Sequence, residues 1–165
     1  MDESLQRVVG FLIRIGIPVR AGVVGDDSFL PAGRIESGGL VYDPSRLRWP
    51  SDLLHEAGHI AVTPPALRAA LDGALDDSDT SPFGGEVEAI AWSWAAAMHL
   101  GLRPEALFHA DGYKGQSAGL LMSFSLGICP GAFGLAQIGM TSVGDAARTA
   151  GAAPYPAMSC WLRQA

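Results

Sequence analysis

The chain has 165 residues, 48% of them hydrophobic and 17% charged, with a formal net charge of −6 at pH 7. A chain of this length and apolar content can bury a sizeable core, so we expect a single domain over residues 1–165 and not a disordered protein. The acidic balance, without a cluster of lysine or arginine, argues against nucleic acid as a partner.

The N-terminal third predicts one helix followed by several short strands. From about residue 3 to residue 15 apolar side chains recur with the helical period, and Gly16 and Pro18 end this pattern. From residue 17 to residue 42 valine-rich pieces alternate with glycine and proline, and residues 39–42 form the clearest strand. We expect a mostly helical α+β fold, with a small antiparallel sheet in this third packed on the helix that follows.

The compartment is indicated by the N-terminus and by the two cysteines. Asp2 and Glu3 are acidic and precede no apolar run with a small-residue cleavage site, which argues against a secretory signal. Cys129 and Cys160 lie far apart and lack C-x-x-C spacing, as is typical of buried thiols in a reducing compartment. A disulfide between them is the alternative. We therefore expect a cytoplasmic protein.

A helix with two histidines follows the strands. Ser51 is a good N-cap and Pro64-Pro65 must end the helix, so we expect it from residue 51 to residue 63. It contains His55-Glu56-Ala57-Gly58-His59, which reads H-E-x-x-H. Residues i and i+4 lie roughly 40° apart around a helix axis, so both imidazoles can bind one ion. Glu56 lies beside the pair, too close for a third ligand but well placed to reach a water on the metal.

Two further segments come before the middle of the chain. A short helix at about residues 66–71 precedes an acidic segment, Asp72–Pro82, which lacks the D-x-D-x-D-G register of a calcium-binding EF-hand loop. We expect a solvated loop there that could cover the cleft. A second long helix is predicted from residue 85 to residue 100, where Gly101 ends it.

A catalytic zinc site usually takes a third protein ligand, and several residues compete for that place. The extended pattern H-E-x-x-H-x-x-G-x-x-H fails, because Val62 and Pro65 stand at its later positions. The competitors are Glu86, Glu88, His99 and His109. Glu86 and Glu88 lie roughly 200° apart on their helix, so only one of them can face the ion. The alternative to a metal site is an ordinary surface helix that carries two histidines.

The C-terminal half predicts further helices, at about residues 104–109, 117–126, 132–139 and 142–149. Trp161-Leu162 is expected to pack back on the domain. The stretch from residue 115 to residue 144 carries no charge and is long enough to cross a membrane. Its seven glycines and the Pro130-Gly131 pair near its middle favour two buried helices joined by a turn. A membrane-associated protein is therefore the less favoured interpretation.

The metal motif and the second helix together resemble a known family. H-E-A-G-H followed by E-V-E-A-I-A-W resembles the minimal gluzincin metallopeptidases over His55–Ser93 and its flanks. The pattern is similar to the ImmA/IrrE-like group and, more loosely, to the Ste24/HtpX-type peptidases. Those families place their glutamate ligand first in an E-x-x-A-[DN] run, which is Glu86 here. Ile90 stands where they carry Asp or Asn, so the usual partner of a ligand histidine is missing. The remaining candidates for that partner are Asp52, Asp43 and a backbone carbonyl.

The resemblance implies a zincin-like fold and a zinc-dependent peptidase that acts on a peptide or protein. His55, His59 and Glu86 would bind Zn²⁺, and Glu56 would take a proton from the attacking water. It also implies that the strand at residues 40–42 lines the cleft and pairs with an extended peptide. The rival from another class is a binding or regulatory domain that keeps this fold without turnover.

A peptidase also needs a hydrogen-bond donor for the tetrahedral oxyanion besides the metal. Tyr113 and His109 lie in or near one glycine-rich loop and could supply that donor. Ordinary packing of the loop is the alternative role for each of these side chains.

Overall fold

A computed structural model describes residues 2–26, 32–73 and 82–165. Within these ranges the regular structure is mostly helical and includes one three-stranded sheet, so the expected α+β class is confirmed. Residues 27–31 of the predicted strand region lie outside the described residues. The same is true of residues 74–81, most of the predicted acidic loop.

The helices and strands begin and end close to the predicted residues. The helices are α1 (Glu3–Arg14), α2 (Asp52–Val62), α3 (Pro65–Arg68), α4 (Glu86–His99), α5 (Pro104–Leu107), α6 (Ser117–Ser125), α7 (Ala132–Gln137) and α8 (Gly144–Ala150). The strands are β1 (Val19–Ala21), β2 (Gly33–Glu36) and β3 (Gly39–Tyr42), and one 3₁₀ turn at Tyr113–Gly115 precedes α6.

The sheet has the order β1-β3-β2, and it is mixed where the sequence predicted antiparallel pairing. A tight turn at Ser37-Gly38, with φ of 49° and 74°, makes β2 and β3 an antiparallel hairpin. The chain reverses twice between β1 and β3, so these neighbouring strands run in the same direction and pair in parallel. Because β3 is the central strand and is paired on both sides, the expectation that it pairs with an extended peptide is wrong.

Helices α2 and α4 pack against each other in the centre of the core. The apolar side of α2 is fully buried, and α4 presents small residues such as Ala89 and Ala91 that are also fully buried. The backbones come so close that a Cβ atom at Gly58 would lie 2.5 Å from the carbonyl oxygen of Ala89. Gly58 therefore permits the approach that brings α4 to the histidine helix.

Replacing Gly58 by Ala is expected to lower the free energy of unfolding. The new methyl group would overlap the α4 backbone, and overpacking typically costs about 1–3 kcal/mol. We expect this loss to exceed the helix propensity that Ala gains over Gly, which is roughly 1 kcal/mol. Urea unfolding measures the difference.

Gly119→Ala in α6 is the matched control, since a Cβ atom there meets nothing within 4 Å. This control should be neutral or stabilising by up to about 1 kcal/mol. Equal unfolding free energies for the two variants would contradict the close approach of α2 and α4.

The start of α2 differs from the prediction. Ser51 was expected to cap the helix, but its backbone is already helical, with φ −64° and ψ −20°, and its side chain caps no backbone N–H. The Ser51 hydroxyl instead donates a hydrogen bond to the carbonyl oxygen of Ala106. The first turn of α2 is thereby joined to α5 and to the loop that follows α5.

The C-terminal half contains the predicted helices, but the expectation that the two helices of the uncharged stretch are buried is wrong, since Met122 on α6 is 64% exposed and Phe133 on α7 is 63% exposed. The uncharged stretch contains α6 and α7 with a turn that includes Gly131 at φ 90°, and no helix in the described ranges could span a bilayer. Trp161 packs edge-on against Phe11, with ring centroids 4.9 Å apart, and its carbonyl accepts a hydrogen bond from Trp92 Nε1. The predicted return of the tail onto the domain is confirmed.

The two cysteines, Cys129 and Cys160, are free thiols, each half-buried, and not a disulfide.

Candidate metal centre

Two histidines and one glutamate converge where the first turn of α4 meets α2. His55 and His59 lie one turn apart on α2, with ring centroids 4.9 Å apart and rings perpendicular. Glu86, the first residue of α4, faces both of them. Its Oε1 atom lies 3.3 Å from Nε2 of His55, and its Oε2 atom lies 3.0 Å from Nε2 of His59. The packing of α2 on α4 therefore brings together residues 27 or more positions apart in the sequence.

The separations of these atoms fit a single metal ion. Ligand atoms that bind one zinc at about 2.0–2.2 Å are roughly 3.3 Å apart in tetrahedral geometry. One ligand atom from each of His55, His59 and Glu86 lies within 4.8 Å of the others, and the described part of the chain holds one such group. These three residues could hold a metal ion.

Glu86 and His55 shift each other's pKa. Burial works to raise the pKa of Glu86, but hydrogen bonds to His55 and His59 outweigh it and hold that pKa well below its usual range. Burial works to lower the pKa of His55, yet the hydrogen bond to Glu86 and its charge raise it. The carboxylate is thus kept ionised, which is the form that binds a metal.

Glu56 is buried beside this group without belonging to it. Glu56 stands between the two histidines in the sequence of α2, and the residue is only 6% exposed. Burial raises the pKa of the Glu56 carboxyl, and the neighbouring His55 and His59 work against that rise. A carboxyl group with a raised pKa next to a metal site has the chemistry of a general base.

Solvent reaches the group from the side of α4. The side chain of Glu86 is 51% exposed, whereas those of His55 and His59 are 10% and 12% exposed. The two histidines on α2 are therefore shielded from solvent, whereas the Glu86 carboxylate at the start of α4 is exposed to it.

The other three candidates for the third ligand have different roles. Glu88 accepts a hydrogen bond from the backbone N–H of Gly85, 3.2 Å away, and so caps α4. The ring of His99 lies 5.6 Å from that of Phe11 and 5.2 Å from that of Trp161, far along α4. The third candidate, His109, places Nε2 2.7 Å from an Asp52 carboxylate oxygen.

His55 lacks the hydrogen-bond partner that the sequence led us to expect. Its Nδ1 atom is buried and has no partner among the described residues. Asp52 is engaged by His109, and Asp43 accepts hydrogen bonds from the backbone and hydroxyl of Ser45. The expectation that one of these two carboxylates serves His55 is therefore wrong, since each is held by a nearer donor.

Tyr113 contacts the centre in a way that the sequence did not predict. Its ring meets that of His55 edge to face, with centroids 5.3 Å apart. Its hydroxyl is buried and hydrogen-bonded to Ser93 on α4, and burial raises the pKa of that hydroxyl. The sequence placed Tyr113 in a glycine-rich loop near the site, but a loop has no periodicity from which such a contact could be found.

Removing a metal held by α2 and α4 is expected to destabilise the fold. Binding to the native state raises stability by about 2.7 kcal/mol when the free metal is 100 times its Kd. For a chain of this size that corresponds to roughly 5–10 °C in melting temperature. Thermal melts of metal-loaded protein with and without a chelator measure the shift.

A variant with both His55 and His59 changed to Ala is the control, and the chelator should not shift its melting temperature. Identical melting temperatures for loaded and stripped wild type would show that no ion joins the two helices.

The number of donors bears on the kind of metal site that this group could form. Structural zinc sites usually have four protein ligands, whereas catalytic sites use three and leave one position open. The described residues bring together three donors, two imidazoles and one carboxylate, beside the buried Glu56. Comparisons with family models, with curated proteins and with solved structures find no match, so this description of the site depends on its own geometry.

Proposed function

We propose that the protein is a zinc-dependent metallopeptidase that hydrolyses peptide bonds in a peptide or protein. The observation that carries the proposal is the convergence of His55, His59 and Glu86, with their ligand atoms within 4.8 Å, beside the buried carboxyl of Glu56. Two histidines and a carboxylate suit zinc among the common divalent metals. The resemblance of the two helices to gluzincin peptidases supports the same reading.

Each residue has a defined part in this chemistry. His55, His59 and Glu86 would hold a zinc ion, which would supply Lewis acidity toward a water and toward the carbonyl of the substrate. Glu56 accepts a proton from that water as its oxygen attacks the carbonyl carbon. Glu56 then gives the proton to the amide nitrogen, so that the C–N bond breaks and a neutral amine leaves. The raised pKa of the buried Glu56 suits both transfers.

One feature of the site supports a second candidate function. The Nδ1 atom of His55 has no partner among the described residues, whereas a ligand histidine in an active enzyme usually donates that N–H. A domain that binds a metal and a partner, but catalyses no reaction, would tolerate a ligand histidine whose Nδ1 atom has no hydrogen-bond partner. We therefore keep a catalytically silent binding or regulatory domain as the alternative.

Incubation of the zinc-loaded protein with a mixed peptide library, read by mass spectrometry, separates the two functions. A peptidase should generate new peptide ends, lose that activity when a chelator removes the zinc, and regain it when zinc is restored. Absence of cleavage at full zinc occupancy would favour the silent domain, and cleavage that persists without metal would contradict the proposed chemistry.

A further inference from the structure

His55 needs something other than a hydrogen bond to fix its ring. In metal sites the second ring nitrogen usually donates to a carboxylate or carbonyl, and that bond sets the orientation of the ligand. The Nδ1 atom of His55 has no such partner in the described part of the chain. The ring must therefore be oriented by the groups packed against it.

Tyr113 is the aromatic neighbour that contacts the His55 ring besides His59. The edge-to-face contact has centroids 5.3 Å apart and an angle of 81° between the rings. The Tyr113 hydroxyl is hydrogen-bonded to Ser93, whose own hydroxyl donates to the carbonyl of Ile90 and so keeps lone pairs free to accept. Tyr113 thus contacts α2 and α4 at once.

The backbone at Tyr113 is in an unfavourable conformation. Tyr113 and Lys114 have φ of 54° and 51°, the left-handed region that residues with side chains seldom adopt. Such conformations persist when the surroundings determine them. The Ser117 hydroxyl donates to the carbonyl of Gly112, and the Phe108 ring lies 5.2 Å from that of Tyr113.

A buried histidine anchors this loop on the first turn of α2. Nε2 of His109 lies 2.7 Å from the Asp52 carboxylate, and the Trp49 ring stacks on the imidazole at 4.5 Å with an angle of 7°. Gly112 covers the imidazole too, since a Cβ atom there would lie 3.1 Å from its Cε1. The imidazole is therefore held by a hydrogen bond and by close packing.

The hydrogen-bond roles in this pair follow from what surrounds it. A carboxylate can only accept, so Nε2 of His109 carries a proton and donates it to Asp52. Nδ1 of His109 is buried without a partner among the described residues, so the hydrogen bond to Asp52 is the polar contact that orients this imidazole. The function of the pair is to hold geometry.

We propose that Asp52, His109 and Tyr113 are positioning residues, which fix the ring of His55 by packing where other metal centres use a hydrogen bond. Asp52 binds His109, His109 anchors the loop, and the loop keeps the Tyr113 ring in edge-to-face contact with the His55 ring. This inference rests on the proposed metal site, but it does not require peptide hydrolysis.

Cobalt substitution tests the inference without an activity assay. The d–d absorption spectrum of bound Co²⁺ reports the ligand geometry, and the rate of metal loss to an excess of chelator reports how firmly the ligands are held. Asp52→Ala and Tyr113→Ala should each alter the spectrum and speed metal loss by about tenfold or more, the range typical of lost outer-sphere support.

Conservative variants distinguish positioning from general destabilisation. Asp52→Asn keeps an oxygen that accepts from His109, and Tyr113→Phe keeps the ring, so both should remain close to wild type in spectrum and rate. Tyr155→Ala is the matched control, because Tyr155 is also half-buried and bonded to α4, through the Ala91 carbonyl. It should lower the melting temperature while leaving both metal readouts unchanged.

Three outcomes would overturn the inference. The first is a folded Tyr113→Ala protein whose Co²⁺ spectrum and rate of metal loss equal those of wild type. The second is an Asp52→Asn variant that loses metal as fast as Asp52→Ala. The third is a wild type that takes up no cobalt. If Tyr113→Ala does not fold, Tyr113→Leu fills the space without a ring and should show the same altered spectrum. A wild type that binds cobalt normally but cleaves no peptide counts against the peptidase function alone.

Discussion

Replacing Glu56 by Gln is expected to abolish nearly all peptide hydrolysis while zinc stays bound. The amide has almost the shape of the carboxylate, but it cannot accept the proton of the attacking water. Loss of a general base lowers the rate by about 10²- to 10⁴-fold. Zinc should be retained because the three ligand side chains, His55, His59 and Glu86, are unchanged.

The measurement compares wild type and Glu56→Gln at equal zinc occupancy on the same mixed peptide library. Glu105→Gln on α5 is the matched control, since it makes the same chemical change at an exposed residue and should keep full activity. A Glu56→Gln protein as active as wild type would remove Glu56 from the mechanism. Loss of zinc from that variant would instead mean that the carboxylate supports the metal.

The second large effect is expected at Glu86. Changing Glu86 to Gln removes the carboxylate whose two oxygens lie 3.3 Å and 3.0 Å from the histidine nitrogens. Losing a direct ligand should weaken zinc binding by more than the roughly 10–100-fold typical of losing an outer-sphere partner. Competition with a chromogenic chelator measures the Kd of each variant.

Glu88→Gln makes the same change two residues away and is the control for this experiment. Glu88 faces away from the histidines and caps α4 through the Gly85 backbone, so its variant should lose stability but bind zinc as wild type does. Weaker zinc binding by Glu88→Gln than by Glu86→Gln would reassign the third ligand.

The helices that carry the centre could be predicted because their signals are local. The apolar period of α2 and the Pro64-Pro65 stop define the histidine helix, and Gly101 marks the end of α4. The spacing of His55 and His59 then places both imidazoles on one side of α2. The angle between two side chains four residues apart follows from the 3.6 residues per turn of an α-helix, and it does not depend on the rest of the fold.

The order of the strands could not be predicted in the same way. Periodicity identified β3, but strand neighbours depend on how the connections cross, and residues 17–42 carry no signal for that. We expected antiparallel pairing throughout, which holds for β2 and β3 but not for β1, which pairs with β3 in parallel. The expectation that β3 pairs with an extended peptide came from the family resemblance, and the central position of β3 in the sheet contradicts it.

The contacts around the metal centre could not be predicted from local sequence patterns either. The contact of Tyr113 with His55 and the stack of Trp49 on His109 each join residues more than 50 positions apart in the sequence. Asp52 was one of the candidate partners expected for a ligand histidine. Its carboxylate instead forms a hydrogen bond with His109, which lies in the loop after α5.

Metal content of the purified wild-type protein is the most direct test of the centre formed by His55, His59 and Glu86. Elemental analysis after dialysis against trace zinc should find about one zinc per chain, as expected for three protein ligands around one ion. The His55→Ala/His59→Ala variant, treated identically, should retain none. A wild type that remains free of metal and binds none when zinc is added would contradict the metal centre and the function built on it.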